Sequence, residues 1–149
     1  MIEWIELYNT GNQAVNITGW TLADNSATDT LECYNASLSN CDIINGTSFA
    51  IITDSDTVLY QNFSIFTNVT RMKVDDNAIG NGLSNSGDLI IVRNGTGDLV
   101  DVVNYTDFIS TTEGYTLERI DPLDTNSSSN WKSSLSLNGT PDYRNSVTP

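Results

Sequence analysis

The spacing of the apolar residues constrains this chain more than any other feature. Short runs rich in Val, Ile, Tyr and Phe alternate with clusters of Asn, Gly, Asp and Ser, and no helical periodicity of useful length appears. Punctuation of this kind marks strands joined by turns, here about eight of them. Ile2 to Tyr8 opens the series, with Ile5 and Leu7 on one face, Trp4, Glu6 and Tyr8 on the other, and the turn Asn9-Thr10-Gly11-Asn12 after it. Ala14 to Ala23, Thr30 to Tyr34, Thr47 to Thr53, Val58 to Ile65 and Val69 to Val74 read as further strands. Asp88 to Arg93 and Asp98 to Tyr105 flank Asn94-Gly95-Thr96-Gly97, a four-residue glycine-containing loop that predicts a hairpin. Gly114 to Ile120 completes the set, and the polar, Ser-rich stretch from Pro122 to Asn130 reads as an exposed loop. Without internal repeats or heptads, such strands bury their apolar faces as two packed sheets or a barrel.

A length of 149 residues with 38% hydrophobic side chains suits one domain with its own core, assigned to residues 1–146 with 147–149 as a tail or the start of a linker. Six Lys and Arg against 19 Asp and Glu leave a net charge of −13, which repels bare nucleic acid. No apolar stretch approaches the length of a membrane span, so direct membrane insertion is not expected. No signal peptide precedes Ile2, so the expectation is a piece of a longer protein whose export signal and any anchor lie elsewhere.

Nine asparagines stand in acceptor sequons: Asn16, Asn35, Asn45, Asn62, Asn68, Asn94, Asn104, Asn126 and Asn138. That is about double the roughly four that chance placement gives for this content of Asn, Ser and Thr. An Asn- and Thr-rich β protein also makes sequons by accident; the excess favours a chain that has passed a glycosylating membrane, with Asn94 at the hairpin turn and Asn126 in the Ser-rich loop the most exposed. Cys33 and Cys41 are the only cysteines and flank a run with the polar make-up of a loop. A local disulfide is the natural reading, two buried thiols the alternative. A loop this short contributes less than about 3 kcal/mol, so the bridge pins a connection rather than holding the fold. Sequons and an oxidised pair agree on an extracellular or cell-surface setting.

Acidic residues gather at Asp24 to Asp29, at Asp54 and Asp56, at Asp75 and Asp76, and at Asp98 with Asp101. Oxygen-rich loops of this sort can hold calcium, and Asp54, Asp56, Asp75 and Asp76 are the first candidates. The EF-hand spacing is absent, and carboxylates capping turns explain the same pattern. Catalysis has little to work with. There is no His, Ser and Thr nucleophiles lack an evident base, and no carboxylate pair is placed across a cleft by sequence. Gly80-Asn81-Gly82 matches no phosphate-binding fingerprint and reads as a turn. The chain is read as a non-enzyme with no required cofactor.

Five motifs in order resemble the lamin-tail domain, found in nuclear lamins and widely in secreted bacterial and archaeal proteins. Glu3-Trp4-Ile5-Glu6-Leu7-Tyr8-Asn9 is similar to the family's opening strand, and Val15-Asn16-Ile17-Thr18-Gly19-Trp20-Thr21-Leu22 to its Gly-Trp strand. Leu83 to Asp88 with the hairpin and Val100 to Tyr105 resembles the central block; Tyr115 to Arg119, Asn130-Trp131 and Gly139-Thr140-Pro141 through Asn145-Ser146 resemble the closing motifs. The resemblance implies an immunoglobulin-like β-sandwich and a non-catalytic accessory module. A chromatin role does not carry over to a chain of charge −13.

Because Trp4, Trp20 and Trp131 fall on these motifs, they are expected in packing rather than on a sugar-binding platform, leaving Tyr34, Tyr60 and Tyr143 as looser candidates for contacts. Glu6 and Arg119, also on motifs, are expected to pair across two strands, with Glu118 as the competing partner of Arg119. Family members usually carry one more strand ahead of the Glu-Trp motif; its absence here predicts an unpaired sheet edge, filled by the rest of the protein or by a neighbouring subunit. The leading function is therefore a glycosylated structural or adhesive surface module. The rivals are a carbohydrate-binding accessory module, with or without calcium, and a subunit of an extracellular filament or layer joined by strand addition.

Overall fold

The computed structural model describes residues 3–65, 69–108, 111–124 and 127–149. Among them are eleven strands: β1 (Trp4–Tyr8), β2 (Val15–Asn16), β3 (Thr21–Ala23), β4 (Thr28–Cys33), β5 (Ile43–Ile44), β6 (Phe49–Thr53), β7 (Thr70–Val74), β8 (Leu89–Arg93), β9 (Leu99–Asn104), β10 (Leu117–Arg119) and β11 (Trp131–Ser133). One short helix, α1 (Leu59–Asn62), lies between β6 and β7. Seven strands form one sheet in the order β1-β6-β7-β4-β3-β8-β9, while β10 pairs β11 and β2 pairs β5 in separate ladders. Only β6 and β7 run parallel, and their crossover carries α1, as a parallel connection requires.

Period-two alternation builds the core. In β4 Asp29 and Leu31 are buried while Thr28, Thr30 and Glu32 are exposed. Leu22, Leu31, Ala50, Ile52, Met72, Val74 and Val92 meet in one cluster with Ile17, Ile44 and Ile79, and the half-buried Ile5, Leu7, Trp20 and Ile90 pack against it. These side chains come from strands across almost the whole sheet. A single cluster can hold them only if the sheet curls around it, so the fold is all-β and of the immunoglobulin-like sandwich kind.

β6 is buried on both faces. Its outer residue Ile51 is covered by Leu59 and Val69, with Trp4, Phe49, Tyr60, Phe63 and Ile65 packed around them. This second cluster corrects the sequence reading of Val58 to Ile65 as a strand. Leu59 and Phe63 stand four residues apart, so one helical turn lays both on the same side. The Thr57 hydroxyl accepts the Leu59 N–H at 3.1 Å, and the Phe63 N–H closes the turn on the Leu59 carbonyl at 2.9 Å.

Two further expectations change. Ala14 to Ala23 is not one strand but two, β2 and β3, because the chain turns at Gly19, whose φ of 69° favours glycine, and the Trp20 N–H bonds back to the Ile17 carbonyl at 3.2 Å. With β5 and β11, also unread, this raises about eight strands to eleven. The 122–130 stretch is not wholly an exposed loop, since Ser128–Asn130 forms a 3-10 turn and Asn130 is buried, exchanging two side-chain hydrogen bonds with the backbone of Asp121, both at 2.9 Å. The predicted hairpin forms as β8 and β9, with a bulge near Val92 and Arg93.

Candidate binding cleft

A cleft of about 1610 Å³ runs along β1, with β9 and the β10-β11 ladder forming the other walls. β1 is the terminal strand of the large sheet and pairs only with β6. The Asn9 N–H donates to the Ser48 carbonyl at 3.0 Å, so the backbone groups of Leu7 and Ile5, two and four residues earlier, also face β6. Those of Trp4, Glu6 and Tyr8 consequently point the other way. Among the described residues no hydrogen bond uses them. Among the described residues this edge is crossed only by side chains: Glu3 Oε2 accepts the Leu83 N–H at 3.3 Å and Glu6 Oε2 accepts the Asp142 N–H at 2.6 Å.

The electrostatics of the cleft centre on Glu6. Burial pushes its carboxyl up to about 8; the Asp142 N–H opposes this, and the charges of Asp142 and Glu118 add to it. Glu118 is buried at 4% exposure on β10, where it accepts the Thr140 hydroxyl at 2.9 Å and both the N–H and hydroxyl of Ser146, at 2.8 and 2.6 Å. One carboxylate thereby pins the C-terminal arm to the ladder.

Arg119 corrects the expected ion pair. Alternation along β10 turns Glu118 toward Glu6 and the arm, and Arg119 the opposite way. Its Nη2 donates to Asp101 Oδ2 on β9 at 3.1 Å, and its guanidinium lies 4.9 Å from the centre of the Trp131 ring. Glu6 takes the Asp142 N–H instead. Trp131 Nε1 and Thr116 Oγ1, buried atoms on residues lining the cleft, find no hydrogen-bond partner among the described residues.

The remaining candidate residues lie elsewhere. Cys33, the last residue of β4, is bridged to Cys41 with Cα atoms 5.6 Å apart, closing the connection to β5. Asn16, Asn35, Asn45, Asn62, Asn104 and Asn138 are exposed, while Asn68 and Asn126 fall outside the described residues. Asn94, expected among the most exposed, is half-buried: its Oδ1 accepts the N–H groups of Thr96 and Asp98 and its Nδ2 donates to Asp98 Oδ2 at 3.2 Å, so it builds the hairpin turn.

The Asp54–Asp56 and Asp75–Asp76 loops are neighbours, since the Ser55 N–H donates to the Asp76 carbonyl at 2.8 Å. Asp54 caps the Asp56 N–H, Asp76 the Ala78 N–H and Asp75 the Thr30 N–H. Among the described residues no three carboxylates or cysteines converge in a way that could hold a metal ion. The tryptophans do not share a face. Trp4 packs on the outer cluster, Trp20 on the main core, and Trp131 against Phe108 and Arg119. Tyr34 meets Tyr60 edge-on at 4.5 Å under the Arg71 guanidinium, while Tyr143 stays half exposed.

Sequence reasoning missed the Asp101–Arg119 contact and the hub at Glu118. The only signal for either was the alternation Leu117-Glu118-Arg119, which separates the two charges without naming their partners.

No described helix is long and apolar enough to cross a membrane. Searches of curated proteins and of solved structures found no match. The family model for the Lamin Tail Domain matches residues 2–107, spanning β1 to β9 and so two walls of the cleft. That domain is immunoglobulin-like and generally non-enzymatic, in keeping with the curled sheet seen here. The chain belongs to the lamin tail domain family.

Proposed function

We propose that this chain is a non-catalytic structural or adhesive module of an extracellular or cell-surface assembly, N-glycosylated and working by contact with neighbouring domains or subunits. The observation that carries the reading is the surface placement of its sequons: six of the seven described sequon asparagines are exposed, on a fold whose one cysteine pair is oxidised. Exposed asparagines on strand ends and turns are what a glycosylating enzyme and the attached sugars need, and a disulfide persists in the same compartments. The lamin tail domain adds a scaffold without defined catalytic groups.

Intact mass of the protein from its native source, before and after enzymatic deglycosylation, tests this directly. The expected result is a ladder of glycoforms collapsing to the polypeptide mass. A bare polypeptide mass from the native source would overturn it.

A further inference from the structure

We propose that Asn45 is a self-modification site: the Gly46 nitrogen closes on the Asn45 side chain, and the cyclic imide so formed opens to aspartate or isoaspartate, unlocking the turn that holds the end of β1 against β6. The site is read on the bare chain and goes beyond the module reading of the whole.

Four asparagines precede glycine, at 45, 81, 94 and 138. Glycine lacks the side chain that hinders such ring closure. Closure also needs a carboxamide free to turn and a backbone nitrogen free to attack, and three of the four positions lack one or the other. The Gly82 N–H donates to the Ile79 carbonyl at 3.0 Å and the Gly139 N–H to the Ser136 carbonyl at 3.1 Å, so the nucleophiles beside Asn81 and Asn138 are engaged. At Asn94 the carboxamide is held instead, its Oδ1 by the Thr96 and Asp98 N–H groups and its Nδ2 by the Asp98 carboxylate. Asn45 is exposed, and among the described residues neither its carboxamide nor the Gly46 N–H makes a hydrogen bond.

A neighbour activates the free pair. The Asn9 carboxamide donates to the Asn45 backbone carbonyl at 3.1 Å. It thereby draws electron density from the Asn45–Gly46 peptide and stabilises the anion formed when the Gly46 nitrogen gives up its proton to solvent. That nitrogen bonds to Asn45 Cγ, the Cγ–Nδ2 bond breaks, and Nδ2 leaves as ammonia with a proton taken from water. Water then opens the imide at either carbonyl. Breaking the bond from nitrogen to Cγ leaves aspartate; breaking the bond from nitrogen to the backbone carbonyl carbon leaves isoaspartate, with Cβ now part of the main chain.

The surroundings make isoaspartate the disruptive product. A Cβ at position 46 would lie 2.5 Å from the Asn12 carbonyl carbon, so the two turns touch backbone to backbone. The Thr47 N–H donates to the Asn9 and Gly11 carbonyls at 3.0 and 2.9 Å, and the Asn9 N–H to the Ser48 carbonyl at 3.0 Å. An added main-chain carbon at 45 pushes Gly46 out of this contact and loosens the turn between β1 and β2. Asn45 also opens a sequon, and a sugar there substitutes Nδ2, so the glycosylation proposed above would block the loss of ammonia.

The test uses the chain produced in a host that adds no glycans, incubated at mildly alkaline pH and followed by peptide mapping with mass spectrometry. A short peptide of each Asn-Gly segment serves as the unfolded reference. Asn45 should convert at a rate near that of its own peptide, with isoaspartate among the products. Asn81, Asn94 and Asn138 should fall about tenfold or more below theirs, since each must first break the hydrogen bonds that engage it. Conversion at Asn45 should quicken as the pH rises, as attack by a deprotonated nitrogen requires. Slowing of Asn45 as great as that of the other three, faster conversion at any of them, or a rate indifferent to pH would each overturn the assignment. The isoaspartate fraction, isolated by chromatography, should exchange the Asn9 and Thr47 amides faster than the parent. Asn45→Asp, which adds the charge without lengthening the main chain, should not. Equal exchange in the two would overturn the unlocking. Failure of these results leaves the glycoform masses untouched, and a bare polypeptide mass from the native source leaves the site standing.

Discussion

The apolar centre of the fold, around β6, and the C-terminal flank, the β10-β11 ladder, are held together by different physics. At the centre, β6 is flanked on both sides, and Ala50, Ile51 and Ile52 are fully buried. At the flank, β10 and β11 run for three residues each, and what fixes them is polar: Glu118 holding Ser146 and Thr140, Asn130 holding Asp121, and the Ser134 hydroxyl bonded to the Ser136 carbonyl at 2.8 Å. The first region tolerates no loss of volume; the second tolerates no loss of a hydrogen-bond partner. The comparison predicts different kinds of failure.

The largest effect belongs to the centre. Ile52→Ala removes three methyl or methylene groups from a site with no exposure, at a cost of roughly 2 to 5 kcal/mol. In a chain of this length that lowers Tm by about 10 °C, with the whole transition moving together. Glu118→Ala should cost about 2 to 3 kcal/mol, because three donors lose a buried charged acceptor. Its signature differs, however. Hydrogen exchange should quicken first in residues 138–149, while amides of β6 and β7 stay protected to the global transition. If Glu118→Ala instead lowers protection uniformly, flank and centre are one cooperative unit and the contrast is wrong.

The same contrast explains what could be read from sequence. Strands held by apolar alternation were legible: β1, β4, β6, β7 and the β8-β9 hairpin all fall within or close to their expected ranges. The second cluster was not, because Val58 to Ile65 is as apolar as a strand; only the burial of Ile51 on the outer face of β6 creates a demand for Leu59 and Phe63 on one side. Strands of two or three residues such as β2, β5 and β11 carry too little periodicity to be seen. Polar fixation leaves almost no trace in sequence, since a buried Glu118 and an exposed glutamate are written identically. The cysteine bridge was legible from the spacing and polar make-up of its loop, whereas the acidic setting of Glu6 emerges only when Asp142 and Glu118 are brought to it.

Glu6 sharpens the comparison at the border of the two regions. Its carboxyl is raised from 4.5 to about 8 in the folded chain, so between those values the folded state binds a proton that the unfolded state has lost. Stability from this group is therefore complete below about pH 4.5 and is lost as the pH rises through 8. Discounted for screening at a half-buried site, the span is about 1 to 2 kcal/mol, or roughly 4 °C in Tm between pH 5 and 8.5. Glu6→Gln should remove that slope, so the difference between the two Tm curves isolates it. Parallel curves would mean that Glu6 is solvated like a surface acid and that the arm carrying Asp142 does not lie closed over it.

The smallest effect tests whether charge or stacking joins β10 to β9. Arg119 meets Asp101 at 3.1 Å, but the Asp101 side chain is 38% exposed, which limits the pair to about 0.5 to 1 kcal/mol. The guanidinium also lies over Trp131, a contact that does not need the carboxylate. Asp101→Asn should accordingly cost less than 1 kcal/mol and lose its effect in high salt, while Arg119→Met should cost more, since it removes the stacked cation as well. A double-mutant cycle between the two positions, read from urea midpoints, separates these contributions. A coupling near the full cost of Arg119→Met would assign the joint to the ion pair. A coupling well below it, with the remainder insensitive to salt, would place the joint on Trp131 and make the flank, at this one point, resemble the apolar centre.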